Sequence, residues 1–124
     1  MTDSAALRPL PQPGGHYRHA VRRGSMVFAS GQLGWDDEQK RADGIAAQTR
    51  LALSNLERAL ASEGAGLRDL VSVTVYLSDL ANFAEYNAAY KEVIGDDPPT
   101  RASIGVALPE GCLIEISGIA IVGE

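Results

Sequence analysis

The sequence predicts an α+β fold in which two helices pack on one face of a mixed β-sheet, within a single domain spanning residues 1–124. Three observations carry this prediction. Apolar residues recur with period two in some segments and with helical spacing in others. Glycine and proline clusters separate those segments, and the resulting order is β-β-α-β-α-β-β. A chain of 124 residues that is 45% hydrophobic suits one core.

Residues 1–15 carry Pro9, Pro11, Pro13, Gly14 and Gly15, which resist both helix and ladder pairing, so this segment reads as a leader. From Tyr17 to Arg23 and from Met26 to Gln32 the chain alternates or runs apolar about the turn Gly24-Ser25, predicting a hairpin whose second strand ends at Ser30-Gly31-Gln32. After a polar loop carrying Trp35, Asp43 is expected to cap a helix. Its stripe is Ile45, Thr49, Ala52, Leu56, Ala59, Leu60 and Glu63, and Gly64 closes it. Leu70 to Ser78 sets Val73, Val75 and Leu77 against Ser72, Thr74 and Tyr76, a strand with one apolar and one polar face. Asp79 is expected to cap a second helix with the stripe Phe83, Tyr86, Asn87, Tyr90, Val93 and Ile94, stopped by Gly95 and Pro98-Pro99. Strands over Arg101–Ala107 and Leu113–Val122 follow, joined by a turn at residues 108–111. The semi-polar sheet face suits packing against another subunit, and a domain this small builds a water-excluding site more easily between subunits than within one.

Composition narrows the function classes. With 16 acidic and 11 basic residues, the net charge of −5 opposes a polyanionic partner, and no basic cluster exceeds Arg18, Arg22 and Arg23, so nucleic acid is not expected. Cys112 is the only cysteine, which fits a reducing compartment and a cytoplasmic protein. No signal-like or membrane-spanning run stands out. His16 and His19 read as surface residues, and without a spaced ligand cluster no metal is expected. The glycine pairs do not join a strand to a helix as a phosphate cradle requires, so no nucleotide cofactor is expected either.

Three residues stand out chemically. Glu115 interrupts the most apolar strand, so its carboxylate is exposed at an edge, paired or protonated. Arg101 opens a strand behind Pro98-Pro99-Thr100 and offers a planar, permanently charged fork for a carboxylate; read by residue type alone it is more readily a surface arginine beside a turn. Asn87, on a helical stripe, either ties a loop to the helix or faces a site.

In order and spacing, Tyr17, Ser30-Gly31-Gln32, Gln48-Thr49, Asn55-Leu56, Phe83-Ala84 with Asn87, Pro99-Thr100-Arg101-Ala102-Ser103 and Ile114-Glu115-Ile116 resemble the RidA (YjgF-type) family of imine and enamine deaminases. The resemblance runs from Gly14 to Val122. It implies a homotrimer of chorismate-mutase-like subunits with sites in the clefts between them, and no metal or organic cofactor. It further implies that Arg101 grips the carboxylate of a 2-imino or enamine acid, and that Glu115 positions the hydrolytic water. Tyr17, Ser30, Gly31, Asn87 and Ser103 would line the cleft. Many relatives carry cysteine where Ser103 stands, and the Leu33-Gly34-Trp35-Asp36 segment departs from the family's usual apolar-proline continuation, which bears on substrate size. A small-acid-binding or chaperone-like trimer and an endoribonuclease are the alternative readings.

Overall fold

The computed structural model describes residues 7–123, so the first six residues of the leader lie outside the described part. The strands are β1 (Ala20–Arg23), β2 (Met26–Leu33), β3 (Leu70–Leu77), β4 (Thr100–Gly105) and β5 (Ile114–Ile121); the helices are α1 (Ile45–Ala61) and α2 (Phe83–Ile94). They form one five-stranded sheet in the order β1-β2-β5-β3-β4, antiparallel except for the parallel pair β3 and β4. A parallel pair cannot be joined by a hairpin, and α2 is the crossover that joins it.

The core lies between the helices and one sheet face. Val73, Val75 and Leu77 of β3 and Ile114 and Ile116 of β5 meet Leu53, Leu56 and Leu60 of α1 and Tyr86 of α2, all essentially buried. The alternation read in β3 is therefore realised, with Ser72, Thr74 and Tyr76 half-buried on the opposite face. That face is apolar toward β2, where Met26 lies opposite Ile121 and Phe28 opposite Ile119, with Met26, Phe28 and Ile121 each exposed by more than a third.

Several element boundaries differ from expectation. β1 begins at Ala20, because Tyr17 is held in a bend by its N–H bond to the Gly15 carbonyl. Asp43 does not cap α1: Gly44 takes that position with φ 91°, a left-handed backbone that glycine adopts without strain, and the helix ends at Ala61. Asp79 does cap, accepting the Ala81 N–H, but it caps a short 3₁₀ turn at Leu80–Asn82, and α2 starts only at Phe83. On α2 the buried residues are Tyr86, Ala89 and Tyr90, while Phe83, Asn87 and Val93 are exposed; the helix rests on the sheet through a narrower stripe than its sequence carries.

Polar residues of α1 organise the loops. Gln48 donates to the Ala42 and Gly111 carbonyls and accepts the Leu113 N–H; Asn55 donates to the Leu33 and Trp35 carbonyls. Gly34 is held so close that a Cβ there would sit 2.5 Å from the Gln48 carbonyl oxygen. Arg58, 8% exposed, donates to the Arg8 and Pro9 carbonyls and bidentately to Asp37. That arginine fastens the proline-rich segment across the domain, with Leu10 packed against the core. The guanidinium beside Asp37 holds that carboxyl below its usual range. No helix among the described residues is long and apolar enough to cross a membrane.

Candidate functional site

Arg101 and Glu115 occupy different faces of the sheet. Arg101 of β4 is in register with Val73, a core position, so its side chain lies on the helix-bearing face. Glu115 of β5 is in register with Tyr76, on the opposite face. Two strand spacings and three residues of offset place their Cα atoms about 14 Å apart.

Around Arg101, α2 supplies an aromatic platform. The guanidinium carbon lies 4.7 Å from the ring centre of Tyr90, 5.1 Å from that of Tyr86 and 5.6 Å from that of Phe83. Such stacking holds a cation without neutralising it. None of the ion pairs among the described residues involves Arg101, so its charge is free for an anion. Ser103 lies two residues along the same strand face, its hydroxyl 2.6 Å from that of Tyr86, which it braces beneath the guanidinium. Burial pushes the Tyr86 and Tyr90 phenols above their ordinary values, so both remain protonated. A cavity of about 470 Å³ opens beside this platform, lined by Arg101, Tyr90, Asn87, Lys91, Ile94 and Pro99 among others. Asn87 is thus no buried tie to a loop: it is exposed and lines the cavity that Arg101 borders.

Around Glu115, the sheet is open. β1 pairs with β2 only as far as Ala29, and a bulge between Ala29 and Gln32 lifts Ser30-Gly31 out of the ladder with β5. The Glu115 side chain lies across the gap this leaves. A Cβ on Gly31 would stand 2.7 Å from its Oε2 and 2.8 Å from its Cδ, so only glycine admits the carboxyl there. Burial raises the Glu115 pKa above its ordinary value near 4.5. A second cavity, about 190 Å³, is lined by Glu115, Gly31, Tyr17, His19 and Gln32, and closed by residues 10–14 of the fastened segment.

The expected cleft residues therefore fall into two groups within one chain: Arg101, Asn87 and Ser103 at α2, and Glu115, Gly31 and Tyr17 at the bulge. Ser30 lines neither cavity; its hydroxyl donates to the Arg18 carbonyl and its N–H to the His19 carbonyl, which secures the end of the hairpin. His16 is exposed, as its sequence suggests, but His19 is not simply a surface residue. Its Nε2 lies 2.7 Å from the Pro11 carbonyl and its Nδ1 3.2 Å from the Gln32 amide nitrogen, an arrangement met by the tautomer protonated on Nε2. Tyr17 stacks edge-on against it. Sequence reasoning missed both His19 and the ring platform; the tyrosines four residues apart on α2 signalled a shared helix face, not that Arg101 would lie over it. Among the described residues no group of three or more His, Cys, Asp or Glu is placed to hold a metal ion.

Comparison with known proteins agrees with this architecture. The family model described as endoribonuclease L-PSP matches residues 8–122. A RutC family protein of Pyrococcus abyssi is 39% identical over 113 residues, covering 89% of each chain. The human 2-iminobutanoate/2-iminopropanoate deaminase is 36% identical over 112 residues, covering 88% of this chain and 82% of its own. Among solved structures, RidA from an Antarctic Psychrobacter superposes with a TM-score of 0.85 at 35% identity, covering 91% of this chain and 94% of its own. Escherichia coli TdcF with bound serine gives 0.85 at 33% identity, with 92% and 94% covered. The chain belongs to the RidA/YjgF family.

Proposed function

We propose that the protein is a cytoplasmic, homotrimeric deaminase that hydrolyses 2-imino or enamine acids, such as 2-iminopropanoate, 2-iminobutanoate or an aminoacrylate-like compound, to 2-keto acids and ammonia. Each site forms where the Arg101 face of one copy meets the Glu115 face of the next. The observation that carries this reading is the division just described: an unneutralised arginine on one side of the sheet, and on the other a partly desolvated carboxyl held over a glycine. A small substrate requires both groups within a few ångströms, and juxtaposing two copies meets that requirement where a single chain does not. The mixed apolar and polar outer face of the sheet supports such an assembly, and the free, buried Cys112 fits a reducing compartment.

In this site Arg101 binds the substrate carboxylate bidentately, its plane set by the rings beneath it. Protonation of the nitrogen makes the imine carbon electrophilic. Glu115, ionised, accepts a proton from water as the water attacks that carbon, giving a carbinolamine. The carboxyl then returns the proton to nitrogen and, ionised again, takes the hydroxyl proton as the C–N bond breaks, so that ammonia leaves and the 2-keto acid forms. Burial raises the Glu115 pKa, which makes its carboxylate a better acceptor of the water's proton than an exposed one. Orientation supplies most of the barrier reduction, so no cofactor is needed. Tyr17, Gly31 and Asn87 form the walls, and Ser103 acts through Tyr86.

The test is a semicarbazide competition. 2-Iminobutanoate is generated by an amino-acid oxidase in the presence of semicarbazide, and imine loss is compared for the native protein, Arg101→Ala and Glu115→Gln. The native protein should suppress semicarbazone formation and both variants should not; a native protein without effect removes the enzyme reading. A small-acid-binding protein is the second reading, favoured by the serine that the related TdcF structure holds. An endoribonuclease is disfavoured by the net charge of −5 and by His19, both of whose ring nitrogens are engaged.

A further inference from the structure

Among the described residues, one buried side-chain polar atom has no hydrogen-bond partner, the hydroxyl of Tyr90. Tyr90 is 4% exposed, lines the larger cavity together with Arg101 and Asn87, and is the ring nearest the Arg101 guanidinium. An orphaned buried hydroxyl costs free energy comparable to a lost hydrogen bond, so its presence calls for an explanation.

Neighbouring groups do not supply one. Tyr86, whose ring meets Tyr90 edge-on at 6.1 Å, already directs its own hydroxyl to Ser103. Arg101 carries only donors and cannot accept the phenolic proton. A donor that stays protonated, set beside a cation with no counter-ion, matches an acceptor-only anion. We infer that Tyr90 is a further carboxylate-binding residue, whose hydroxyl donates to the same carboxylate that Arg101 holds. The Arg101 guanidinium stands 4.7 Å from the centre of the Tyr90 ring and both line the same cavity, so a carboxylate drawn to the guanidinium comes beside that ring. The inference rests on the proposed acid-binding site and adds to it a residue that was otherwise only part of the platform. It also gives the carboxylate a third donor outside the plane of the guanidinium fork, which favours one orientation of the acid over its flipped alternative.

The experiment is calorimetric titration of the assembled protein with 2-oxobutanoate, the keto acid of the proposed reaction, for the native protein, Tyr90→Phe and Arg101→Ala. Melting temperature without ligand is measured in parallel. Removing a hydrogen bond to a charged group should weaken 2-oxobutanoate binding roughly tenfold or more in Tyr90→Phe. Because the hydroxyl has no partner to lose, the ligand-free melting temperature should stay level or rise. Undiminished binding in Tyr90→Phe, with Arg101→Ala impaired, overturns the role of Tyr90 alone. A fall in the ligand-free melting temperature also overturns it, since the hydroxyl would then have a structural partner in the assembly. No binding to the native protein, or full binding to Arg101→Ala, overturns the acid-binding site itself.

Discussion

Gly31→Ala is the perturbation whose consequence follows most directly from geometry. Gly31 does not have positive φ, so its backbone accepts alanine, and the only severe conflict is with Glu115. The added methyl would stand 2.7, 2.8 and 3.0 Å from Oε2, Cδ and Cγ of that side chain. Unstrained contacts of carbon lie at about 3.5–4.0 Å, so the carboxyl must retreat by roughly 0.7–1 Å. A flexible side chain makes that movement by rotating, and the fold should lose little. Positioning is less forgiving: a displacement of about 1 Å from the reacting geometry costs on the order of 100-fold in rate. Gly31→Ala should therefore lower kcat/KM for 2-iminobutanoate by about that factor, with a melting temperature within a few degrees of the native protein. A Gly31→Ala protein with the native rate would refute the role given to this contact.

Other perturbations separate the site from its scaffold. Glu115 has a pKa raised on folding, so the folded protein binds the extra proton between the unfolded and folded values, and stability falls as pH rises through that window. Glu115→Gln should accordingly raise the melting temperature and abolish deamination at neutral pH, and leave the melting temperature unchanged well below pH 4.5. In the native protein the acidic limb of the kcat/KM profile for the proposed deamination should lie above that ordinary value. Arg58→Ala strips donors from the Arg8 and Pro9 carbonyls, at a cost of about 1–3 kcal/mol; proteolysis near residues 8–14 should accelerate with the thermal loss. Gly34→Ala forces a Cβ against the Gln48 backbone and not a movable side-chain end, so its cost should appear in the melting temperature, by about 1–3 kcal/mol of overpacking.

The order of elements and the identity of the core face were legible because both depend on local periodicity. Val73, Val75 and Leu77 announce a strand with one buried face whatever they pair with. Short 3₁₀ turns at Leu67–Asp69 and Leu80–Asn82 are three residues each and leave no periodic trace, which is why α2 begins later than Asp79 suggests. Strand neighbours are another matter. That Arg101 falls opposite Val73 and Glu115 opposite Tyr76 depends on the registers of β4 and β5 against β3, set by long-range packing that no local pattern encodes. The two residues could be singled out from the sequence, Glu115 by its apolar setting and both by the family pattern, but not their placement on opposite faces. The proline-rich segment illustrates the same limit. Its composition excludes helix and ladder; its fastening depends on Arg58, fifty residues away on another element. His19 likewise gains its place in the cavity from Pro11 and Gln32, partners that its own surroundings in the chain do not indicate.

The central claim is that Arg101 and Glu115 act together only across two copies of the chain. Subunit mixing tests it directly. Arg101→Ala and Glu115→Gln, each inactive alone, are co-expressed in equal amounts or unfolded and refolded together, and imine hydrolysis is measured per site. If each site takes Arg101 from one copy and Glu115 from the next, random assembly places two intact residues together in about a quarter of the sites of a cyclic oligomer, and activity returns to about that fraction of the native value. If the mixture, shown by mass to contain both variants in one assembly, stays as inactive as its components, the two residues must act within one chain and the account is contradicted.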